Sequence, residues 1–176
     1  GLETLSLIGY SWGTVISGLF VTSYPGSVDR LVLAAPVHSG RNEPWLKVVT
    51  DPDDAERFNP ALGAYRMVTE ADTIKRWDGQ IVPADRSEWR EPAMLDALVA
   101  DFMAADPEAG KLNPPAVRVP NGVLRDVFEI FNERPIYQAA EITLPTLVIR
   151  GADDPESTDP DARGLFDALG AQEKRY

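Results

Sequence analysis

Residues 5–20 have the sequence LSLIGYSWGTVISGLF, in which the spacing of the apolar residues changes at Ser11. The run before Ser11 is almost continuously apolar, as in a short buried strand, whereas the apolar positions of residues 15–20 recur at helical spacing. The stretch therefore predicts a strand, a sharp turn that carries a serine, and a helix.

Two glycines flank Ser11 in the pattern G-x-S-x-G. A serine at such a turn takes strained backbone torsions, and we expect Gly9 and Gly13 to leave room for the helix to fold back on the strand. This nucleophile elbow presents the hydroxyl at the C-terminal edge of a parallel sheet, and it makes the N–H of Trp12 a candidate oxyanion-hole donor. The alternative is a glycine-rich helix start without a chemical role.

Two further apolar runs, residues 28–36 and 144–151, are typical of parallel strands covered by helices on both faces. The first follows the helix after Ser11, which predicts a right-handed strand–helix–strand unit. A helix is predicted from Pro160 to Leu169 with Asp159 as its N-cap, and residues 174–176 resemble the start of another strand. The fold class is therefore α/β with three predicted parallel strands and flanking helices.

Between these runs, residues 37–143 are rich in proline and predict mainly helices. Thr69 and Asp72 have the spacing of a capping box at the start of one helix, with extended chain before it. Pro92 suits the first turn of a second helix, and a third is predicted to start at Asn121.

The elbow and the strand order resemble the α/β-hydrolase superfamily, in particular its lid-bearing serine hydrolases. The resemblance implies a partial α/β-hydrolase fold, with a discontinuous core of residues 1–36 and 144–176. Residues 37–143 would form a mainly helical cap or lid over the serine. Tyr10 and His38 would then be candidate pocket-lining residues.

The resemblance also implies a catalytic acid at the tip of the strand that ends near residue 151. Asp154 occupies that position in the sequence GADD, with Asp153 as the second choice. A carboxylate there keeps the catalytic histidine in the required tautomer and stabilises its cation. As an alternative, Asp-Asp-Pro is also ordinary turn composition.

His38 is the only histidine, and it precedes the acid, whereas the family order is serine, acid, histidine. Three roles are open for His38: base, pocket lining, or a polar loop residue without a chemical role. The resemblance places the expected base beyond Tyr176 and the second oxyanion donor before Gly1. We therefore expect this chain to be an internal piece of a larger hydrolase and to be inactive by itself.

The composition limits the partners and cofactors of the 176-residue chain. Its net charge of -11 disfavours nucleic acid and anionic lipid as partners, and the sequence contains no apolar run long enough to cross a bilayer. With no cysteine, disulfides and thiolate metal sites are excluded. We expect a small-molecule substrate, no metal or organic cofactor, and a cytoplasmic location.

For the intact protein, the resemblance implies acyl transfer from an ester, a lactone or a similar carbonyl compound through an acyl-enzyme on Ser11. The family branches with an aspartate nucleophile are disfavoured because a serine occupies that position. Two alternatives are an acyltransferase that uses the same triad and a non-catalytic member that binds a ligand or a partner.

Overall fold

The computed structural model describes residues 4–81 and 88–176. The strands are β1 (Leu5–Tyr10), β2 (Val28–Ala34), β3 (Thr50–Asp51), β4 (Asp54–Phe58), β5 (Tyr65–Thr69), β6 (Ala116–Pro120), β7 (Thr146–Ile149) and β8 (Lys174–Arg175). The α-helices are α1 (Trp12–Ser23), α2 (Glu43–Val49), α3 (Glu70–Gly79), α4 (Pro92–Ala104), α5 (Gly122–Phe131) and α6 (Asp159–Ala168). The chain divides into two compact units, which are Gly1–Asn59 with Val123–Tyr176, and Pro60–Gly122.

The first unit contains a four-stranded parallel sheet in the order β1-β2-β7-β8. The three predicted strands are confirmed, and the predicted start of a further strand is the fourth, β8. Tyr10 pairs with Ala34, and Ala34 pairs with Ile149, so β1, β2 and β7 end level with one another. The loops after these strands therefore leave the sheet at one edge.

The core of the first unit lies between the sheet and its helices. Leu33 of β2 and Ile142 before β7 have no exposed surface, and burial of an aliphatic side chain of this size contributes roughly 1.5–3 kcal/mol. The cluster is apolar and comes from α1, the sheet, α6 and the chain before β7: Val21, Val28, Leu31, Leu33, Tyr137, Ala139, Ile142, Val148, Leu165 and Leu169. Its members are distant in sequence, so the core joins the two halves of the first unit.

The predicted N-cap of α6 is wrong by one residue. The Thr158 hydroxyl accepts the N–H of Asp161, so Thr158 is the cap and Asp159 is the first helical residue. The Asp159 carboxylate instead accepts bonds from the Arg163 and Tyr176 side chains.

The second unit contains β5, α3, α4 and β6. The predicted capping box is confirmed, because the Thr69 hydroxyl accepts the Asp72 N–H and the Asp72 carboxylate accepts the Thr69 N–H. The extended chain before it is β5, which pairs with β6 in an antiparallel ribbon that the sequence analysis did not predict. β3 and β4 form a second such ribbon, in the first unit.

The second unit is narrower than the cap of residues 37–143 predicted from the sequence, and residues 37–59 and 123–143 group with the sheet. The boundaries of a cap stay a prediction. Within the described ranges, 4–81 and 88–176, no helix is both long enough and apolar enough to span a bilayer.

Candidate active site

The turn between β1 and α1 has the strained geometry that the sequence predicts. Ser11 has φ 51° and ψ −125°, a left-handed conformation that residues with a side chain rarely adopt. Its N–H donates to the Ala34 carbonyl at 2.9 Å, and its own carbonyl accepts the Thr14 N–H at 2.9 Å and the Thr14 hydroxyl at 2.6 Å. Ala34 of β2 and Thr14 of α1 thus fix the backbone of Ser11 on both sides, and these bonds keep it in the strained conformation.

The two glycines of the motif have different roles. A Cβ on Gly9 would lie 2.7 Å from the Gly13 carbonyl oxygen and 2.9 Å from Thr14 Cα, because α1 folds back directly over this position. A Cβ on Gly13 would meet nothing within 4 Å. The expectation that both glycines give the helix room is therefore correct for Gly9 and wrong for Gly13.

Trp12 is the first residue of α1, where backbone N–H groups have no partner within the helix. The positive end of the helix dipole also lies there, which favours a developing negative charge. The indole Nε1 of Trp12 donates to Oδ2 of Asp126 on α5 at 3.2 Å. Sequence analysis missed Asp126, and no local pattern could indicate it, because the pair is separated by 114 residues. The oxyanion role of Trp12 stays a prediction.

Asp154 lies in the loop after β7, at the sheet edge where Ser11 follows β1. One strand, β2, separates them, so their anchoring strands are about 10 Å apart. Oδ1 of Asp154 accepts the N–H groups of Glu156 and Ser157, both at 2.9 Å. Asp153 is exposed. The sheet thus brings Ser11 and Asp154 to one edge, and the triad role of Asp154 stays a prediction.

His38 follows β2 at this edge, and its side chain is buried, with 5% of its surface exposed. Its ring packs on the Tyr137 ring, with 4.7 Å between the centroids. The Asp161 carboxylate accepts the N–H groups of residues 38–40 at 2.8–3.0 Å, which fixes the loop around the histidine. The predicted pocket-lining role of His38 stays a prediction.

Burial shifts the pKa values of His38 and Tyr137. It lowers the pKa of His38, and the nearby Asp161 carboxylate opposes that shift only in part. Burial also raises the pKa of Tyr137, and Asp161 adds to that effect. The Nδ1 atom of His38 and the hydroxyl of Tyr137 are both buried without a hydrogen-bond partner. Both side chains are therefore neutral at pH 7.

The lowered pKa of His38 predicts a loss of stability in mild acid. Below about pH 6.5, the ordinary pKa of histidine, His38 binds a proton more readily in the unfolded chain than in the folded chain. The free energy of unfolding therefore decreases as the pH decreases. The loss is up to about 1.4 kcal/mol at pH 5.5, or about 3–5 °C in Tm. Thermal unfolding at pH 7.5 and 5.5 measures it.

A His38→Gln variant is the control for this experiment, and its Tm should be nearly the same at the two pH values. An equal drop in both proteins would contradict the assignment to His38. The aspartates with a lowered pKa lose their contribution only below about pH 4, outside this window. They are Asp51, Asp72, Asp106 and Asp159.

The other candidate pocket residue, Tyr10, ends β1 and is exposed over 72% of its surface. A groove of about 430 Å³ lies within the second unit and includes none of the predicted site residues; it is lined by Tyr65, Met67, Thr69, Leu112, Asn113, Pro114, Ala116 and Arg118. In the part of the chain that the structure describes, no group of three or more His, Cys, Asp or Glu residues is arranged to hold a metal ion.

The strained serine between a parallel strand and a helix, level with an acid two strands away, is the arrangement of α/β-hydrolases. The family model described as serine aminopeptidase, S33, matches residues 2–176. The chain therefore belongs to this hydrolase family and has part of the α/β-hydrolase fold. Among curated protein sequences, none matches the chain significantly.

Solved structures of hydrolases share this fold. A hydrolase from Pseudomonas aeruginosa PA01 aligns with a TM-score of 0.58 at 20% identity, over 98% of this chain and 56% of that chain. The 2-hydroxy-6-oxo-6-phenylhexa-2,4-dienoate hydrolase from Rhodococcus sp. strain RHA1 aligns with a TM-score of 0.57 at 16% identity, over 99% and 56%. A meta-cleavage product hydrolase from Pseudomonas fluorescens IP01 gives 0.59 at 15% identity, over 98% and 56%. The chain thus spans a little over half the length of these relatives.

Proposed function

We propose that the protein to which these residues belong is a serine hydrolase that acts on an ester, a lactone or a similar carbonyl substrate. Ser11 is the nucleophile and Asp154 is the acid that orients a histidine. By the family's chain order, that histidine follows the acid, so His38 is not the base. We further propose that residues 37–143 form the cap of this hydrolase.

The proposed reaction is acyl transfer to water. The Ser11 hydroxyl oxygen attacks the substrate carbonyl carbon while the histidine takes the hydroxyl proton. The Trp12 N–H stabilises the oxyanion, the leaving group departs with the proton from the histidine, and an ester to Ser11 is left. Water then attacks that ester and gives one proton to the histidine. The bond to the Ser11 oxygen breaks, the histidine returns the proton to that oxygen, and the acid product leaves.

The single observation that carries this proposal is the backbone of Ser11, with φ 51° at the C-terminal edge of a parallel sheet. This strained backbone conformation costs about 1–3 kcal/mol of folding free energy, and such residues are typical of functional sites. The family description, serine aminopeptidase, supports a serine nucleophile. The side chain is partly exposed, so a substrate carbonyl can reach it.

Two other functions fit the same residues. An acyltransferase would use the same nucleophile, but an alcohol or a thiol would outcompete water for the acyl group. A non-catalytic member of the fold would bind a ligand or a partner and leave Ser11 unreactive. Product analysis with and without an added acceptor separates the first alternative from hydrolysis.

Labelling with a fluorophosphonate probe tests the proposal. The probe reacts with activated serines, so the protein expressed from its complete coding sequence should be labelled, and mass spectrometry should locate the adduct on Ser11. Ser11→Ala should abolish the labelling and leave Tm nearly unchanged. An unlabelled protein that is folded would contradict the hydrolase proposal and favour the binding function.

A further inference from the structure

The loop that carries Asp154 is held by a nearly buried arginine. We call residues 150–159, between β7 and the start of α6, the acid loop. The Arg150 side chain is only 10% exposed. Its Nε donates to the Ser157 carbonyl at 2.9 Å, and Nη2 donates to the carbonyls of Ala152 at 3.1 Å and Asp154 at 3.4 Å.

The fourth bond of the guanidinium reaches the far end of the acid loop, where Nη1 lies 3.5 Å from Oδ1 of Asp159. The donors of one rigid, planar group therefore contact the loop near its beginning, at the candidate acid and at its end. A lysine ammonium is a single point on a flexible stem and cannot reproduce this pattern.

Ser157 connects the acid loop to the rest of the sheet edge. Its hydroxyl donates to the Pro36 carbonyl at 2.6 Å, in the loop that follows β2. Its N–H donates to Oδ1 of Asp154, its carbonyl accepts from Arg150, and the residue is 1% exposed. Since the Ala34 carbonyl binds the Ser11 N–H, hydrogen bonds and the end of β2 link Arg150 to the nucleophile turn.

Stabilising α6 does not account for these bonds. Arg163 already pairs with Asp159 one helical turn later, at 2.8 Å, and Arg163 makes no bond to the acid loop carbonyls. Arg150 differs from Arg163 in its three bonds to backbone carbonyls within the acid loop. They restrict a loop that would otherwise be free to move its carboxylate, and catalytic groups must be held to within about 0.5 Å.

We propose that Arg150 is a positioning residue that holds Asp154 in its working orientation. Oδ1 stays on the N–H groups of Glu156 and Ser157, and Oδ2 accepts the N–H of the catalytic histidine. This inference rests on the proposed function, because it gives the acid a task only in a working triad.

A double-mutant cycle on the rate of fluorophosphonate labelling tests the inference. Arg150→Lys keeps the positive charge and loses the fork, and we expect labelling roughly 10- to 100-fold slower, the cost of a displaced catalytic group. In an Asp154→Asn background, the same substitution should change the rate little, because Arg150 acts through Asp154. An equal slowing in both backgrounds would mean a general structural role and would overturn the proposal.

Arg163→Lys is the matched control. Arg163, like Arg150, contacts the Asp159 carboxylate, but it does not bind the backbone of the acid loop. The substitution should leave the labelling rate unchanged. Amide hydrogen exchange gives a second readout that needs no activity. Arg150→Lys should speed exchange at Glu156 and Ser157, and Arg163→Lys should not. An absence of labelling in the unaltered protein would remove the proposed function, whereas unchanged exchange at these two amides would overturn the positioning role itself.

Discussion

Asp154→Asn is expected to lower the rate of acylation at Ser11 by about 10⁴-fold. An amide in place of the carboxylate donates a hydrogen bond where the histidine must donate one, so the imidazole takes the wrong tautomer and its cation loses a stabilising charge. The Oδ1 bonds from Glu156 and Ser157 can persist to the amide oxygen, so the loop should stay folded. The labelling rate and the Tm of the two proteins measure both effects.

Asp153→Asn is the matched control for Asp154→Asn. It removes the same charge one residue earlier, at an exposed position, and should change the rate by less than about 2-fold. A large loss with Asp153→Asn and none with Asp154→Asn would move the catalytic acid to Asp153. No loss with either would contradict the triad.

Gly9→Ala is expected to destabilise the fold strongly, although it adds only one methyl group. The added carbon would lie 2.7 Å from the Gly13 carbonyl oxygen and 2.9 Å from Thr14 Cα, and both belong to the backbone of α1. A backbone cannot rotate away as a side chain does, so α1 must shift from β1. We expect a loss of about 3 kcal/mol in the free energy of unfolding, or about 6–12 °C in Tm.

Gly13→Ala gives the comparison within the same motif. Its new methyl group meets no atom within 4 Å, and alanine favours a helix over glycine by about 1 kcal/mol. We therefore expect an unchanged or slightly higher Tm. Equal destabilisation by the two substitutions would contradict the different roles that the structure gives the two glycines.

Local sequence was sufficient for the elements that bear the site. The elbow was predicted because a strand, a turn and a helix adjoin within residues 5–20, and the change in apolar spacing is visible there. The capping box of α3 was predicted for the same reason, since Thr69 and Asp72 satisfy each other three residues apart. The three parallel strands β1, β2 and β7 were predicted from their apolar runs, and the helix between β1 and β2 predicted the strand–helix–strand unit.

The local pattern was insufficient at two positions, where contacts with other side chains or the packing of α1 decided the outcome. Asp159 was a reasonable N-cap in sequence, but Arg163 and Tyr176 bind its carboxylate, and Thr158 caps α6 instead. Gly13 looked equivalent to Gly9 in the motif, although only Gly9 lies under the helix.

The sequence by itself determined the class of fold, the strained turn at Ser11 and the candidate acid, because each depends on residues within a few positions of one another. Tertiary structure alone decided what surrounds them: Asp126 on the Trp12 indole, Asp161 under the loop of His38, and the bonds from Arg150 through Ser157. Most of these contacts join residues more than 100 positions apart. A hydrogen bond between such residues depends on where the packed core brings two backbones together, and no spacing along the chain encodes that distance.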